Sequence, residues 1–271
     1  MSATGGSQVV VGVDGSVASG AAVRWAAMEA AIHHAPLTLC HSWSPDTAGE
    51  GGVAAAARAG HEVLQAASRA AAEVAPTVES RTVLSTDPAH TLLVALSHEA
   101  SLVAVGLGPL TAEVVVGSVA PVVVLPGGEQ PYAPYGRQEP TGPVVVSVED
   151  DADRIALEFA LAEADQRRTG LIAVYVNAGV PAAHHYAAGT AAVPDGLGDA
   201  RRHLDGMLDP WQARYPQVPV QRVLDRPPMV PSLLRNRGAL LVMNGAGNRP
   251  WLAPAASALL RRATGPVAFA R

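Results

Sequence analysis

A run of β-branched residues that ends on an acidic turn occurs twice in this chain, as VVVGVDGS at 9–16 and as VVVSVEDD at 144–151. A continuous apolar run is typical of a strand buried in a parallel sheet, and Asp-Gly-Ser is typical of a turn that caps a helix. A shift of 134 residues also places Trp25 on Phe159 and Glu29 on Glu163. The repeat therefore predicts two homologous domains, not one large sheet.

Strand-like and helix-like patterns alternate in both halves. The apolar runs of the first half lie at 9–13, 37–43, 78–84, 102–105 and 121–125. Those of the second half lie at 144–148, 171–176, 218–224, 240–243 and 266–270. This order predicts right-handed βαβ units and parallel sheets that helices cover on both faces. We predict domains at 7–126 and 143–271, with a Pro-rich, semi-extended linker at 127–142.

Composition excludes several classes of function. A formal net charge of −5 and no basic stripe argue against a nucleic-acid partner. No apolar stretch nears the ~18 residues of a membrane span, and no signal peptide opens the chain, so we expect a cytoplasmic protein without a membrane partner. The one cysteine, Cys40, sits in an apolar run and is predicted to be a small buried hydrophobe.

Taken in order, the segments VVVGVDGS, RWAAMEAA, PLTLCHSW, TDPAHTLL, LVAVG and PVVVLP resemble the universal stress protein family over nearly the full length. The resemblance implies two tandem five-stranded parallel α/β sandwich domains of the adenine nucleotide alpha hydrolase-like type. It also implies an intramolecular pseudo-dimer, which we expect to pack through the fifth strands, and it leaves a further homodimer open. A nucleotide crevice is implied at the carboxyl ends of strands one and four.

The resemblance also identifies candidate cofactor-binding residues. In ATP-binding members an Asp after strand one contacts the adenosine part, and G-x2-G-x9-G-[ST] after strand four wraps the phosphates. Asp14 matches the first element, and Ser16, Gly106 and Gly108 complete the candidate site. A residue that only caps the next helix explains Asp14 equally well.

The phosphate loop departs from the family pattern in one of two ways. Gly106-Leu107-Gly108, eight residues and Gly117-Ser118 are the motif with two residues missing. Alternatively, 111–117 is a remnant of the last helix and about ten loop residues are deleted. No helical turn fits between Ser118 and the strand at Pro121, so the deletion is the favoured interpretation.

The second half has lost more of the pattern. The position of Asp14 falls on Glu149 or Asp150, and the glycine loop is reduced to NGAGNR at 244–249. The acidic run that begins at Glu149 repels phosphate. We predict that this half does not bind nucleotide.

No motif points to catalysis or to a metal. His33-His34 ends a helix, and His184-His185 is placed in a loop without other ligands at suitable spacing, so no metal site is predicted. The chain has no nucleophile elbow, metalloprotease helix or Walker sequence. We therefore expect no catalytic residues and no enzyme.

Three hypotheses about function follow. The first is a non-catalytic binding or regulatory role in stress response, with an unknown protein partner, no cofactor and eroded nucleotide loops in both domains. The second is binding of ATP or another small adenine ligand by the first domain alone, through Asp14, Ser16 and the Gly106–Gly108 turn. The third is a nucleotide hydrolase of the wider superfamily, which needs a phosphate loop that the sequence does not show.

Overall fold

The computed structural model describes residues 8–45, 52–126, 142–180, 184–187, 197–236, 238–245 and 252–271. Contacts between residues divide the chain into two compact units, Met1–Glu139 (unit one) and Pro140–Arg271 (unit two). Apart from Gly142, the predicted linker lies outside the described residues. Within the described part, no helix combines the length and apolar character that a bilayer crossing requires.

Unit one alternates strands and helices along the described chain. Its strands are β1 (Gln8–Gly12), β2 (Leu37–Ser42), β3 (Ser80–Ser85), β4 (Ala100–Gly106) and β5 (Val122–Leu125). Its helices are α1 (Val17–Ile32), α2 (Gly52–Val74), α3 (Ala89–Ser97) and α4 (Thr111–Gly117). The strands are all parallel in the order β3-β2-β1-β4-β5. Helix α1 contacts α2, and α3 contacts α4, so two helix pairs cover the sheet.

The turn from β1 into α1 has the predicted form. Gly15 adopts φ +82°, a backbone conformation that suits glycine. The Ser16 hydroxyl caps α1 by accepting a hydrogen bond of 3.1 Å from the Ser19 N–H. Beyond this cap, small side chains such as Ala22 and Ala26 are fully buried and let α1 lie close to the sheet.

Gly20 offers a test of the packing of α1. A Cβ at Gly20 would meet no atom within 4 Å, whereas one at Gly60 in α2 would lie 2.8 Å from Leu84 Cδ1. Alanine has a higher helix propensity than glycine, so Gly20→Ala should raise the free energy of unfolding by about 0.5–1 kcal/mol. Gly60→Ala should lack this gain. Equilibrium urea unfolding checks both, and an equal gain at the two positions would contradict the packing described.

Unit two repeats the alternation with one addition. Its strands are β6 (Val144–Val148), β7 (Leu171–Val176), β8 (His184–Ala187), β9 (Val220–Asp225), β10 (Leu240–Asn244) and β11 (Val267–Ala270). Its helices are α5 (Arg154–Gln166), α6 (Gly198–Arg214), α7 (Met229–Arg235) and α8 (Leu252–Arg262), and a short 3-10 turn at Asp151–Asp153 precedes α5. The strand order is β11-β10-β6-β7-β9-β8, and all neighbours are parallel except β8 and β9.

Strand β8 corrects one expectation. His184-His185 was predicted to lie in a loop, but these residues open a strand that pairs antiparallel with β9. The ladder aligns His185 with Val223, and Gln221 Nε2 lies 2.9 Å from His185 Nδ1. Edge strands as short as this depend on a partner more than on their own pattern. The predicted α/β class with a mostly parallel sheet is confirmed, and the packing of the two halves stays a prediction.

Candidate functional site

A cavity of about 150 Å³ opens in unit one where β1 and β4 end. Strands β2 and β4 are the two neighbours of β1 in the sheet and lie on opposite sides of it. The carboxyl ends of β1 and β4 therefore form the switch point at which open parallel sheets bind ligands. The ends of β1, β2 and β4 line the cavity together with α3 and α4. Its apolar walls are formed by Val13, Leu92, Leu93, Val105 and Val114.

Asp14 is the acidic residue of this cavity. One carboxylate oxygen accepts a hydrogen bond of 2.9 Å from the Ser16 N–H. Partial burial raises the pKa of Asp14, but hydrogen bonds from Ser16 and the Ser19 hydroxyl outweigh it and hold this pKa below its usual value. Asp14 is therefore anionic at neutral pH and can accept hydrogen bonds from a ligand.

The turn after β4 lies very close to α1. A Cβ at Gly106 would lie 2.6 Å from the Ala18 carbonyl carbon and 2.7 Å from the Ser19 nitrogen. Only a glycine permits this approach of two backbones. Gly108 has more room, since a Cβ there would lie 3.9 Å from the Gly106 oxygen.

Thr111 organises the same turn. Its Oγ1 accepts a hydrogen bond of 2.9 Å from the Gly108 N–H and lies 3.5 Å from the Gly106 carbonyl oxygen. The Leu107 N–H donates to the Leu125 carbonyl over 2.8 Å. The N–H groups of Leu107 and Gly108 are therefore already engaged within the protein.

The end of β2 contributes a thiol and an imidazole to the cavity. Cys40 is buried, as predicted, and burial raises the pKa of its thiol to about 12. His41 Nδ1 lies 2.6 Å from the Val13 carbonyl oxygen. Because a carbonyl oxygen only accepts, Nδ1 carries the proton of this hydrogen bond.

In unit two a polar pair occupies the corresponding position. In unit two Asn244 at the end of β10 is paired with Ala270 of β11, and in unit one Gly106 at the end of β4 is paired with Leu125 of β5. Asn244 therefore occupies the position that Gly106 has in unit one. Its amide donates to the Asp153 carboxylate over 3.0 Å and to the Ala152 carbonyl over 2.8 Å. Asp153 and Asn244 are each 4% exposed. This Asp153–Asn244 pair links the carboxyl ends of β6 and β10.

Asp153 also engages the turn after β6. Its Oδ2 accepts hydrogen bonds from the N–H groups of Glu149, over 2.7 Å, and Asp150, over 3.3 Å. In unit one the matching place belongs to Ser19, whose hydroxyl oxygen lies 3.4 Å from the Asp14 nitrogen. A buried carboxylate thus holds the turn that a small hydroxyl holds in unit one.

The structure brings some of the candidate residues together and separates one. Asp14, Gly106 and Gly108 line the cavity, whereas Ser16 is the cap of α1 and is absent from the lining. Their role in binding a cofactor stays a prediction. Of the second-half loop at 244–249, residues 246–249 lie outside the described residues.

Three features of these sites were not predicted from the sequence. They are the cap that Thr111 places on Gly108, the fixed ring of His41 and the Asp153–Asn244 pair. The G-x-x-T spacing at 108–111 and the D-x-x-D spacing at 150–153 are the signals that could have revealed two of them, because side chains three residues on commonly cap backbone N–H groups.

Comparison with known proteins identifies the family. The family model described as the universal stress protein family matches residues 7–125. A universal stress protein of Mycobacterium tuberculosis is 31% identical over 294 residues, which cover 97% of this chain and 96% of that protein. The chain belongs to the universal stress protein family.

Solved structures extend this result to the fold. A universal stress protein from Archaeoglobus fulgidus matches with a TM-score of 0.69 at 16% identity and covers 97% of this chain and 96% of its own. Another universal stress protein from that organism, solved in complex with dAMP, covers 44% of this chain and 96% of its own, with a TM-score of 0.37 at 21% identity. The first likeness shows that the fold of this universal stress protein extends over nearly the whole chain.

Proposed function

We propose that this universal stress protein has a non-catalytic binding or regulatory role in stress response in the cytoplasm, and that unit one alone takes a small adenine-class ligand. The supporting observation is the contrast between the units. Unit one has a cavity at the ends of β1 and β4, and unit two has the Asp153–Asn244 pair at the corresponding position. In this proposal the phosphate loops of both units are eroded. Ligand binding to unit one either changes the conformation of the protein or is recognised by a protein partner.

The size of the cavity favours a ring-sized ligand group. Pockets for drug-sized ligands typically enclose about 300–1,000 Å³. The cavity of unit one, about 150 Å³, matches the scale of cavities that hold a single benzene ring. A nucleobase fits this volume, with the rest of the ligand toward the open side near Asp14.

The chemistry of the lining supports a binding protein. Among the described residues that line the cavity, Ser42 donates to the Asp87 carbonyl and Thr111 to the Gly106 carbonyl. The Ser19 hydroxyl is engaged locally with the Ser16 carbonyl and the Asp14 carboxylate. The Cys40 thiol stays protonated because burial raises its pKa to about 12. A nucleophile needs an adjacent base or a lowered pKa, and the contacts described for Cys40, Ser42 and Thr111 supply neither.

Calorimetry on the full chain tests the proposal. We expect one site per chain for at least one of adenosine, AMP and ATP, and no turnover of ATP. Ala89→Phe, in the cavity wall at the start of α3, should abolish binding, whereas Ala72→Phe on the exposed side of α2 should not. A ligand at 100 times its Kd should stabilise the wild type by about 2.7 kcal/mol. Two equal sites, hydrolysis of ATP or no binding would each refute the proposal.

A further inference from the structure

Phosphate recognition by a glycine turn depends on unengaged N–H groups that point at the ligand. In the turn after β4, the Leu107 N–H is bonded to Leu125 and the Gly108 N–H to Thr111. Pro109 has no N–H to offer. The helix behind the turn, α4, has only seven residues. Three consecutive positions of the turn, 107–109, therefore offer no unengaged N–H group to a phosphate.

The charges at the cavity act against a phosphate as well. The ionisable side chains that line it are Asp14, Cys40 and His41, and neither lysine nor arginine occurs among the described lining residues. The pKa of Asp14 is below its usual value, so its carboxylate remains charged at neutral pH. Glu113 of α4, which is not among the lining residues, is paired with His90 of α3 over 3.4 Å. A dianionic phosphate near the Asp14 carboxylate, with neither lysine nor arginine beside it in the described lining, is repelled.

The remaining features define what the cavity accepts. Its walls are largely apolar, its volume suits one ring system, and its acidic group is the Asp14 carboxylate, which only accepts hydrogen bonds. We infer that the cavity of unit one binds an uncharged nucleoside or nucleobase, whose hydroxyl or amino groups donate to Asp14, and discriminates against phosphorylated nucleotides. This inference rests on the proposed function and specifies its ligand.

Titration of the full chain with adenosine, AMP and ATP under identical buffer tests the inference. We expect adenosine to bind at least about tenfold more tightly than AMP, and AMP to bind more tightly than ATP, because each phosphate adds negative charge near Asp14. ATP affinity equal to or above that of adenosine would overturn the inference and leave the proposed binding site intact. Absence of binding by all three would overturn the proposed function together with the inference.

Two variants separate the causes of discrimination. Thr111→Val keeps the side-chain shape and releases the Gly108 N–H, so the adenosine-to-AMP affinity ratio should fall by about threefold or more. Thr111→Ser retains the hydroxyl and should restore the ratio. Asp14→Asn removes the charge and should also lower the ratio. Ser68→Ala serves as a control, because Ser68 lies in α2 outside the cavity lining and its hydroxyl donates to Leu64. An unchanged ratio in both Thr111→Val and Asp14→Asn would contradict the inference.

Discussion

Gly106→Ala should lower the free energy of unfolding by about 3 kcal/mol or more and abolish ligand binding by unit one. The added Cβ would lie 2.6 Å from the Ala18 carbonyl carbon and 2.7 Å from the Ser19 nitrogen, distances that real contacts do not reach. Both neighbours are backbone atoms, so no change of side-chain rotamer relieves the clash. The first turn of α1 must move away from β4, and with it the Ser19 hydroxyl that supports Asp14.

Gly108→Ala is the matched control for this prediction. It lies two residues further along the same turn, and its Cβ would have the Gly106 oxygen at 3.9 Å as its nearest neighbour. Its effect on stability should stay within about 0.5 kcal/mol. Urea unfolding measures both variants, and amide hydrogen exchange of α1 localises the effect. A loss of stability in Gly108→Ala as large as in Gly106→Ala would show that the approach of β4 to α1 is not the cause.

The buried elements could be predicted from the sequence because their patterns are local. Strands β6 and β7 have the predicted bounds, and the helix expected at 111–117 is α4. The turn at 14–16 was also predictable, since Asp, Gly and Ser each favour a specific position before a helix. In these stretches the periodicity and the end signals agree with each other.

The Asp153–Asn244 pair of unit two could not be predicted in the same way. Asn244 appears in the sequence as the first residue of a reduced glycine loop, and only its alignment with Ala270 shows that it replaces Gly106. Its partner Asp153 lies 91 residues earlier in the chain. Strand β8 escaped for a related reason, because four residues without an alternating apolar pattern become a strand only beside β9. Long-range pairing decides these features, and local pattern does not encode it.

Asp153→Ala should lower the free energy of unfolding by about 3–4 kcal/mol, because the Asp153 carboxylate is an acceptor for several donors. Its removal takes away the acceptor of the Glu149 and Asp150 N–H groups and one acceptor of the Asn244 amide. Asp151→Ala is the control within the same 3-10 turn. The Asp151 side chain is 71% exposed and pairs only with the exposed Arg154 among the contacts described, so its loss should cost about 0.5 kcal/mol or less.

A double-mutant cycle then tests whether Asp153 and Asn244 act as one pair. Asn244→Ala leaves Asp153 with its two backbone donors, so this variant alone should cost about 1–2 kcal/mol. If the pair is coupled, the double variant should fall short of the sum of the single effects by about 1 kcal/mol. Urea unfolding of the four proteins gives this coupling energy. Strict additivity would mean that the two side chains stabilise unit two independently, and that the hydrogen bond between Asp153 and Asn244 adds no stability of its own.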